Sequence, residues 1–173
     1  MMKYTIILFT LILGLLAVSC ENVTGVKKTD FAIYTLKNSD QSLSEVAGQA
    51  LEDVTISQEP VIHIHELHSY DWNHHAMTLA PRVGETLEGM VHPDSTDNQH
   101  PFMLMAGGER IYMGTFMPAW SSFKPDMPHI VLTSTLKDSI INLNIYGASE
   151  RKGDVREDMR IYEALKAAGK LVE

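Results

Sequence analysis

The longest apolar run of the chain lies at its start and ends at a cysteine. Ile6 to Leu16 are apolar apart from one threonine and one glycine, Lys3 precedes them, and Ala17-Val18-Ser19 leads to Cys20. A positive start, a short apolar core and small residues are typical of a secretory signal peptide. The apolar stretch is shorter than the roughly 20 residues that a membrane-spanning helix needs. The pattern therefore predicts a signal peptide over residues 1–19 rather than a transmembrane anchor.

Cys20 is the only cysteine of the chain, so a disulfide within one chain is excluded. It lies where bacterial lipoproteins are cleaved and lipidated, and the preceding residues resemble a lipobox whose leucine, Leu16, is one place early. We expect Cys20 to carry palmitate-type acyl chains, since two or more such chains give stable anchoring. Residues 20–29 are polar and predict a lipidated tether. The expected location is the cell envelope, at the outer membrane if the cell has one.

From residue 30 onward, short segments of strand-like character are separated by turn residues, which predicts a mostly antiparallel sheet. In 61–65, alternation places Ile62 and Ile64 on one face and His63 and His65 on the other. Gly107-Gly108 predicts the tight turn of a hairpin. The expected strands are 30–36, 61–65, the two arms of a hairpin over 69–79, 102–106, 109–117, 129–136 and 139–147.

Helical periodicity appears in three places. Ser42 and Glu45 form a capping box before an apolar face that runs from Leu43 to Val54, and Pro81 starts a second, weaker helix. Asp154 caps the third helix, whose apolar stripe is Ile161, Leu165, Ala168 and Val172. The prediction is one α+β domain over residues 30–173, with flanking helices and a C-terminal helix packed on the sheet.

Four runs carry a resemblance to known proteins. They are Phe31–Leu36 (FAIYTL), Ser69–His74 (SYDWNH), Gly108–Gly114 (GERIYMG) and Arg160–Lys166 (RIYEALK). The chain resembles a family of small, uncharacterised bacterial exported lipoproteins. That resemblance supports the predicted location of the protein in the cell envelope and implies no activity.

The net negative charge of the chain argues against one class of partner. The chain has 14 basic and 22 acidic residues and a net charge of −8, which becomes −9 when residues 1–19 are removed with Lys3. Lysine and arginine form no patch, so a phosphate backbone is repelled and nucleic acid is not expected as a partner. The expected partners are the membrane, through the N-terminal lipid, and an envelope protein or small ligand that the sequence does not identify.

Five histidines lie between positions 63 and 75, and imidazole is the commonest side-chain ligand of transition metals. His63 and His65 share a strand face, His68 follows after a turn, and the hairpin brings His75 nearer. These four residues are the candidate ligands for Zn or Cu. The alternative is a histidine-rich surface strand that binds no metal, with Ile62 and Ile64 facing the core; the sequence favours this alternative and requires no cofactor.

The loop from Met117 to Pro128 offers a different candidate site. Trp120 and Phe123 lie among three prolines, and exposed aromatics on a stiff segment often anchor a partner. The alternative is a compact loop whose aromatics fold back on the sheet. The methionines of the neighbouring strands are interpreted as core residues.

No catalytic residue is assigned, because the chain has no GxSxG, P-loop or GxGxxG motif and no Cys outside the predicted lipobox. Enzymatic activity stays open, and a non-enzymatic role is favoured. The first hypothesis is a lipid-anchored envelope binding module. The second is a metal-binding lipoprotein that uses the His63–His75 cluster.

Overall fold

The computed structural model describes residues 30–38, 41–90, 99–133, 136, 140–146 and 153–173. The predicted signal peptide, Cys20 and most of the tether lie outside these residues. Within them the strands are β1 Phe31–Thr35, β2 Ile62–His63, β3 Leu67–Asp71, β4 Ala76–Leu79, β5 His100–Ala106, β6 Glu109–Pro118, β7 His129–Leu132, β8 Ile140–Asn144 and β9 Leu171–Val172.

Helices are a minor part of the described structure. They are α1 Leu43–Val46, α2 Pro81–Glu88 and α3 Met159–Ala167, and one turn of 3₁₀ helix covers Val155–Glu157. The predicted α+β class, with a large sheet and a C-terminal helix, is confirmed. The flanking by helices is weaker than predicted, because more of the described residues lie in strands than in helices.

All nine strands join one sheet in the order β2-β1-β5-β6-β7-β8-β4-β3-β9, which curls into a half-barrel. Neighbouring strands are antiparallel except for the parallel pairs β6–β7 and β3–β9. The curl encloses the main core, and α3 packs against it through three buried residues of its apolar face, Ile161, Ala164 and Leu165. A smaller core under α1 centres on Met103 and Val46.

Several elements form as the sequence predicts. Ile62 and Ile64 are buried and His65 is exposed, although β2 ends at His63 and residues 64–66 form a turn, so this strand is shorter than predicted. Tyr70 pairs with Met77 across the β3–β4 hairpin. The β5–β6 hairpin turns at Gly107 and Gly108 with φ values of 58° and 80°, which glycine adopts without a steric penalty.

The first helix is much shorter than its apolar pattern suggests. The capping box at Ser42 and Glu45 is present, but the helix ends at Val46 and Gly48 has a φ of 93°. The guanidinium of Arg110 donates hydrogen bonds to the main-chain carbonyls of Leu51 and Val54. A tertiary contact therefore satisfies two carbonyls that would have no intrahelical partner even at the end of a helix that reached Val54.

The C-terminus also differs from the prediction. Asp154 caps only the 3₁₀ turn, and α3 begins after a second cap at Asp158. Val172 was expected on the apolar stripe of the helix, but it lies in β9 with 49% of its surface exposed. After the turn at Gly169, the last residues pair with the edge of β3, and this long-range pairing gives no local signal in the sequence.

The sheet has two distinct ends. The chain enters at Asp30, whose carbonyl accepts a hydrogen bond of 2.7 Å from the Gly107 N–H in the β5–β6 turn. Strand β6 then runs away from this end for ten residues, about 33 Å, and the loop that carries Trp120 follows it. Within the described ranges no helix is both long enough and apolar enough to span a bilayer.

Candidate functional site

The turn between β3 and β4 places His75 in the protein interior. His75 has a φ of 49°, a left-handed conformation that few non-glycine residues adopt, and only 7% of its surface is exposed. Before it, Asp71 accepts hydrogen bonds from the backbone N–H of His74 at 3.0 Å and pairs with its Nδ1 at 2.9 Å. After it, the carbonyl of His75 accepts a bond of 2.9 Å from the Leu143 N–H. The backbone of the turn is thus held on both sides of His75.

Aromatic side chains surround this imidazole. The Tyr70 hydroxyl lies 3.2 Å from His75 Nδ1, and the ring of Trp72 meets that of His75 edge-on at 5.9 Å between centroids. Burial, followed by the positive charge of Arg156, lowers the pKa of His75. The imidazole is therefore neutral near pH 7, with one nitrogen in contact with Tyr70.

Two carboxylates approach the same imidazole from the 3₁₀ turn. A ring nitrogen of His75 and one oxygen each of Asp154 and Glu157 all lie within 4.8 Å of one another. His75 is buried, Asp154 is partly buried and Glu157 is exposed. The exposure of the three residues therefore increases from His75 through Asp154 to Glu157. We call this group the 75–154–157 cluster.

Arg156 makes a nearly buried ion pair with Asp154. Its Nε lies 3.0 Å from both carboxylate oxygens, and the two side chains are only 12% and 13% exposed. Nη1 of Arg156 donates a hydrogen bond of 2.7 Å to the Leu143 carbonyl. Burial alone would raise the pKa of Asp154, but the hydrogen bonds from Arg156 outweigh it and hold this pKa below its ordinary value. Asp154 is therefore an anion at neutral pH.

A second tyrosine lies in the same part of the core. The Tyr112 hydroxyl is buried and has no hydrogen-bond partner among the residues that the structure describes. Burial raises the pKa of Tyr112, and Tyr70, Arg156 and Asp154 also act on it electrostatically. Buried hydroxyls are seldom left without a partner, so this one is an unusual feature of the region.

The candidate metal ligands from the sequence are divided between two places. The rings of His63 and His65 lie close, with centroids 4.7 Å apart, and the His65 N–H donates to His63 Nδ1 at 3.2 Å. His68 is exposed on β3. In the described part of the chain, groups of three ligating side chains within 4.8 Å include His75 but not His63, His65 or His68. Metal binding by His63 and His65 stays a prediction.

The second predicted contact site is on the surface. Trp120 and Phe123 are 49% and 41% exposed in the loop between β6 and β7. Near this end of the sheet, Thr35, Leu36, Asn38, Met90, His100 and Pro101 line an open cavity of about 150 Å³. Both the exposed aromatics and this cavity are therefore candidates for a binding surface at this end of the sheet.

Nothing in the sequence indicates that Asp154 and Glu157 meet His75. Their spacing of three is typical of a capping box, and Asp154 does cap the 3₁₀ turn. Only the position of β8 between β7 and β4 brings the distant segments together. No protein-family model, curated protein or solved structure matches the chain, so no function is transferred to it from another protein.

Proposed function

We propose that this protein is a lipid-anchored protein of the bacterial cell envelope and acts as a non-enzymatic binding module. The anchor is Cys20, after the signal peptide of residues 1–19, and the contact surface is the β6–β7 loop. The observation that carries the binding role is the exposure of Trp120 and Phe123, at 49% and 41%. Large aromatics at the surface are the side chains that most often dominate the energy of an interface.

The loop presents these aromatics on a fixed backbone. The Ala119 N–H donates to the Leu132 carbonyl at 2.9 Å, and the Ser121 N–H donates to the Pro118 carbonyl at 3.0 Å. The three prolines of the loop are buried: Pro118, Pro125 and Pro128. A preordered loop loses little conformational entropy when it binds, which favours a contact role.

The position of the loop indicates where the partner lies. The tether joins the domain at Asp30, beside the β5–β6 turn, whereas Trp120 lies beyond the far end of β6. We infer that a protein held by Cys20 presents its aromatic loop at the end of the sheet opposite the tether. This arrangement favours an envelope protein or a small ligand as the partner over the anchoring membrane itself.

Site-specific photo-crosslinking in cells tests the proposed surface. A photoreactive phenylalanine analogue replaces the exposed Ser122, and a matched control carries it at exposed Met159. Arg160 beside Met159 pairs with Glu109 at 2.6 Å, so the control site lies at the tether end of the sheet. We expect a discrete adduct in the envelope fraction from position 122 and none from position 159.

The same experiment in a Trp120→Ala, Phe123→Ala background decides the role of the aromatics. We expect the adduct at position 122 to disappear while the amount of folded protein is unchanged, because both side chains are exposed. An adduct that persists in this background, or the lack of any adduct at position 122, would contradict the proposed contact surface.

A further inference from the structure

We propose that His75, Asp154 and Glu157 form a site for one divalent transition-metal ion of mixed nitrogen and oxygen preference, such as Zn²⁺. This proposal goes beyond the binding role of the β6–β7 loop and concerns different residues. One imidazole and two carboxylates are a ligand set found at zinc sites, with further positions left for water.

The distances suit such an ion. All three ligand atoms of the 75–154–157 cluster lie within 4.8 Å of one another. A tetrahedral zinc with bonds of about 2.1 Å holds its ligands about 3.4 Å apart. Glu157 is exposed and free to change rotamer, so a small movement of its side chain closes the difference.

The imidazole is held as metal-binding imidazoles usually are. Such a histidine has its second ring nitrogen fixed by a hydrogen bond, which sets the orientation of the ring. Here Nδ1 contacts the Tyr70 hydroxyl at 3.2 Å, which leaves Nε2 for an ion. The left-handed backbone of His75, at a φ of 49°, is the kind of strained geometry that concentrates at functional sites.

The local charge also permits a cation. Asp154 and Glu157 bring two negative charges and Arg156 brings one positive charge, so the group is net negative before an ion binds. Each carboxylate oxygen accepts more than one bond, so Asp154 can keep its contacts with Arg156 while it coordinates an ion.

A second, independent observation comes from Tyr112. Its hydroxyl is buried without a hydrogen-bond partner among the described residues, in electrostatic reach of Asp154 and Arg156. An unpaired buried hydroxyl is destabilising, because it has lost its hydrogen bonds to water without replacing them. The region thus contains a polar group that the described side chains do not satisfy, beside a ready set of ligands.

The test measures Zn²⁺ binding by titration calorimetry and Co²⁺ binding by visible absorption, on the full chain purified in detergent. Glu157→Gln removes one exposed ligand without disturbing the core. His75→Asn removes the imidazole with a residue that tolerates the left-handed backbone. The controls are Glu85→Gln, which makes the same charge change on the exposed surface of α2, and the double variant His63→Ala, His65→Ala.

We expect one Zn²⁺ per chain, a Kd raised about tenfold or more by Glu157→Gln and by His75→Asn, and little effect of either control. A Co²⁺ spectrum that changes in the Glu157 variant supports direct coordination. No saturable binding at neutral pH would overturn the site, as would equal binding in the Glu157→Gln variant. Loss of binding in the His63→Ala, His65→Ala variant would assign the metal to the β2 histidines instead.

Discussion

The Tyr70 hydroxyl and His75 Nδ1 form a buried hydrogen bond of 3.2 Å between the end of β3 and the turn that follows it. Tyr70 is fully buried, whereas the hydroxyl of nearby Tyr112 has no hydrogen-bond partner within the described residues. The two tyrosines therefore differ in whether the hydroxyl has a hydrogen-bond partner, so replacing each by phenylalanine gives a matched comparison of that bond.

We expect Tyr70→Phe to lower the free energy of unfolding by about 1–3 kcal/mol, because it leaves a buried ring nitrogen unpaired. In contrast, Tyr112→Phe removes a hydroxyl that has no hydrogen bond to the described residues, and stability should be unchanged or increased. Urea unfolding of the two variants measures the difference. Equal destabilisation by both changes would show that the Tyr70–His75 bond contributes nothing specific.

The ion pair between Asp154 and Arg156 predicts a loss of stability in acid. The folded-state pKa of Asp154 is lowered, so its contribution is complete above the unfolded carboxyl pKa of about 3.9 and is lost as pH falls through the folded value. Below about pH 4 the wild-type protein should lose stability faster than Asp154→Asn. Unfolding free energies measured from neutral pH into acid, with exposed Asp53→Asn as the control, test this. Parallel curves for wild type and Asp154→Asn would refute it.

Gly114 in strand β6 lies close to the ring of Phe102 and to the main-chain carbonyl of Pro128. A Cβ at this position would lie 2.5 Å from the Pro128 oxygen and closer still to the ring of Phe102. We expect Gly114→Ala to cost about 1–3 kcal/mol through strain in a packed region. At Gly89 an added Cβ meets nothing nearer than 3.4 Å, so Gly89→Ala should be neutral or stabilise by up to about 1 kcal/mol. Thermal unfolding that ranks the two variants in the opposite order would contradict this packing.

Lipidation of Cys20 stays a prediction from the sequence, since this residue lies outside the described ranges. We expect Cys20→Ala to abolish labelling by a fatty-acid analogue and to release the protein from the membrane fraction. The fold should be unaffected, because the first described strand begins at Phe31. Membrane-bound protein that still carries the label in the variant would disprove the assignment.

The parts of the fold that sequence periodicity predicted are those set by neighbouring residues. Gly107-Gly108 specifies its turn, and the alternation over 61–65 agrees with the burial of Ile62 and Ile64, because both effects act over a few residues. The length of α1 was not predicted from its apolar pattern. Gly48 has a φ of 93° just after the helix, and the segment that follows is held by Arg110, which is distant in sequence and bonds to the carbonyls of Leu51 and Val54.

The candidate metal site shows the same limit. The sequence identified His75 as a ligand but grouped it with histidines that are near in the chain. Its partners in the structure, Asp154 and Glu157, come from a segment that reaches His75 only through long-range strand pairing. Residue type could be predicted from the sequence, whereas the grouping of ligands required the fold.

The parallel pairing of β9 with β3 has a consequence for how the chain reaches its folded state. Tyr70 and Trp72 donate backbone hydrogen bonds of 2.7 and 2.9 Å to Lys170 and Val172, near the last residue of the chain. Until those residues emerge from the ribosome, this side of β3 has open donors and acceptors, which are a template for pairing with other chains. Contacts between such distant residues form slowly because the loop must first close. A chain that lacks residues 170–172 would leave this side of β3 unpaired, so pairing with β9 removes one edge at which the sheet could associate with another chain.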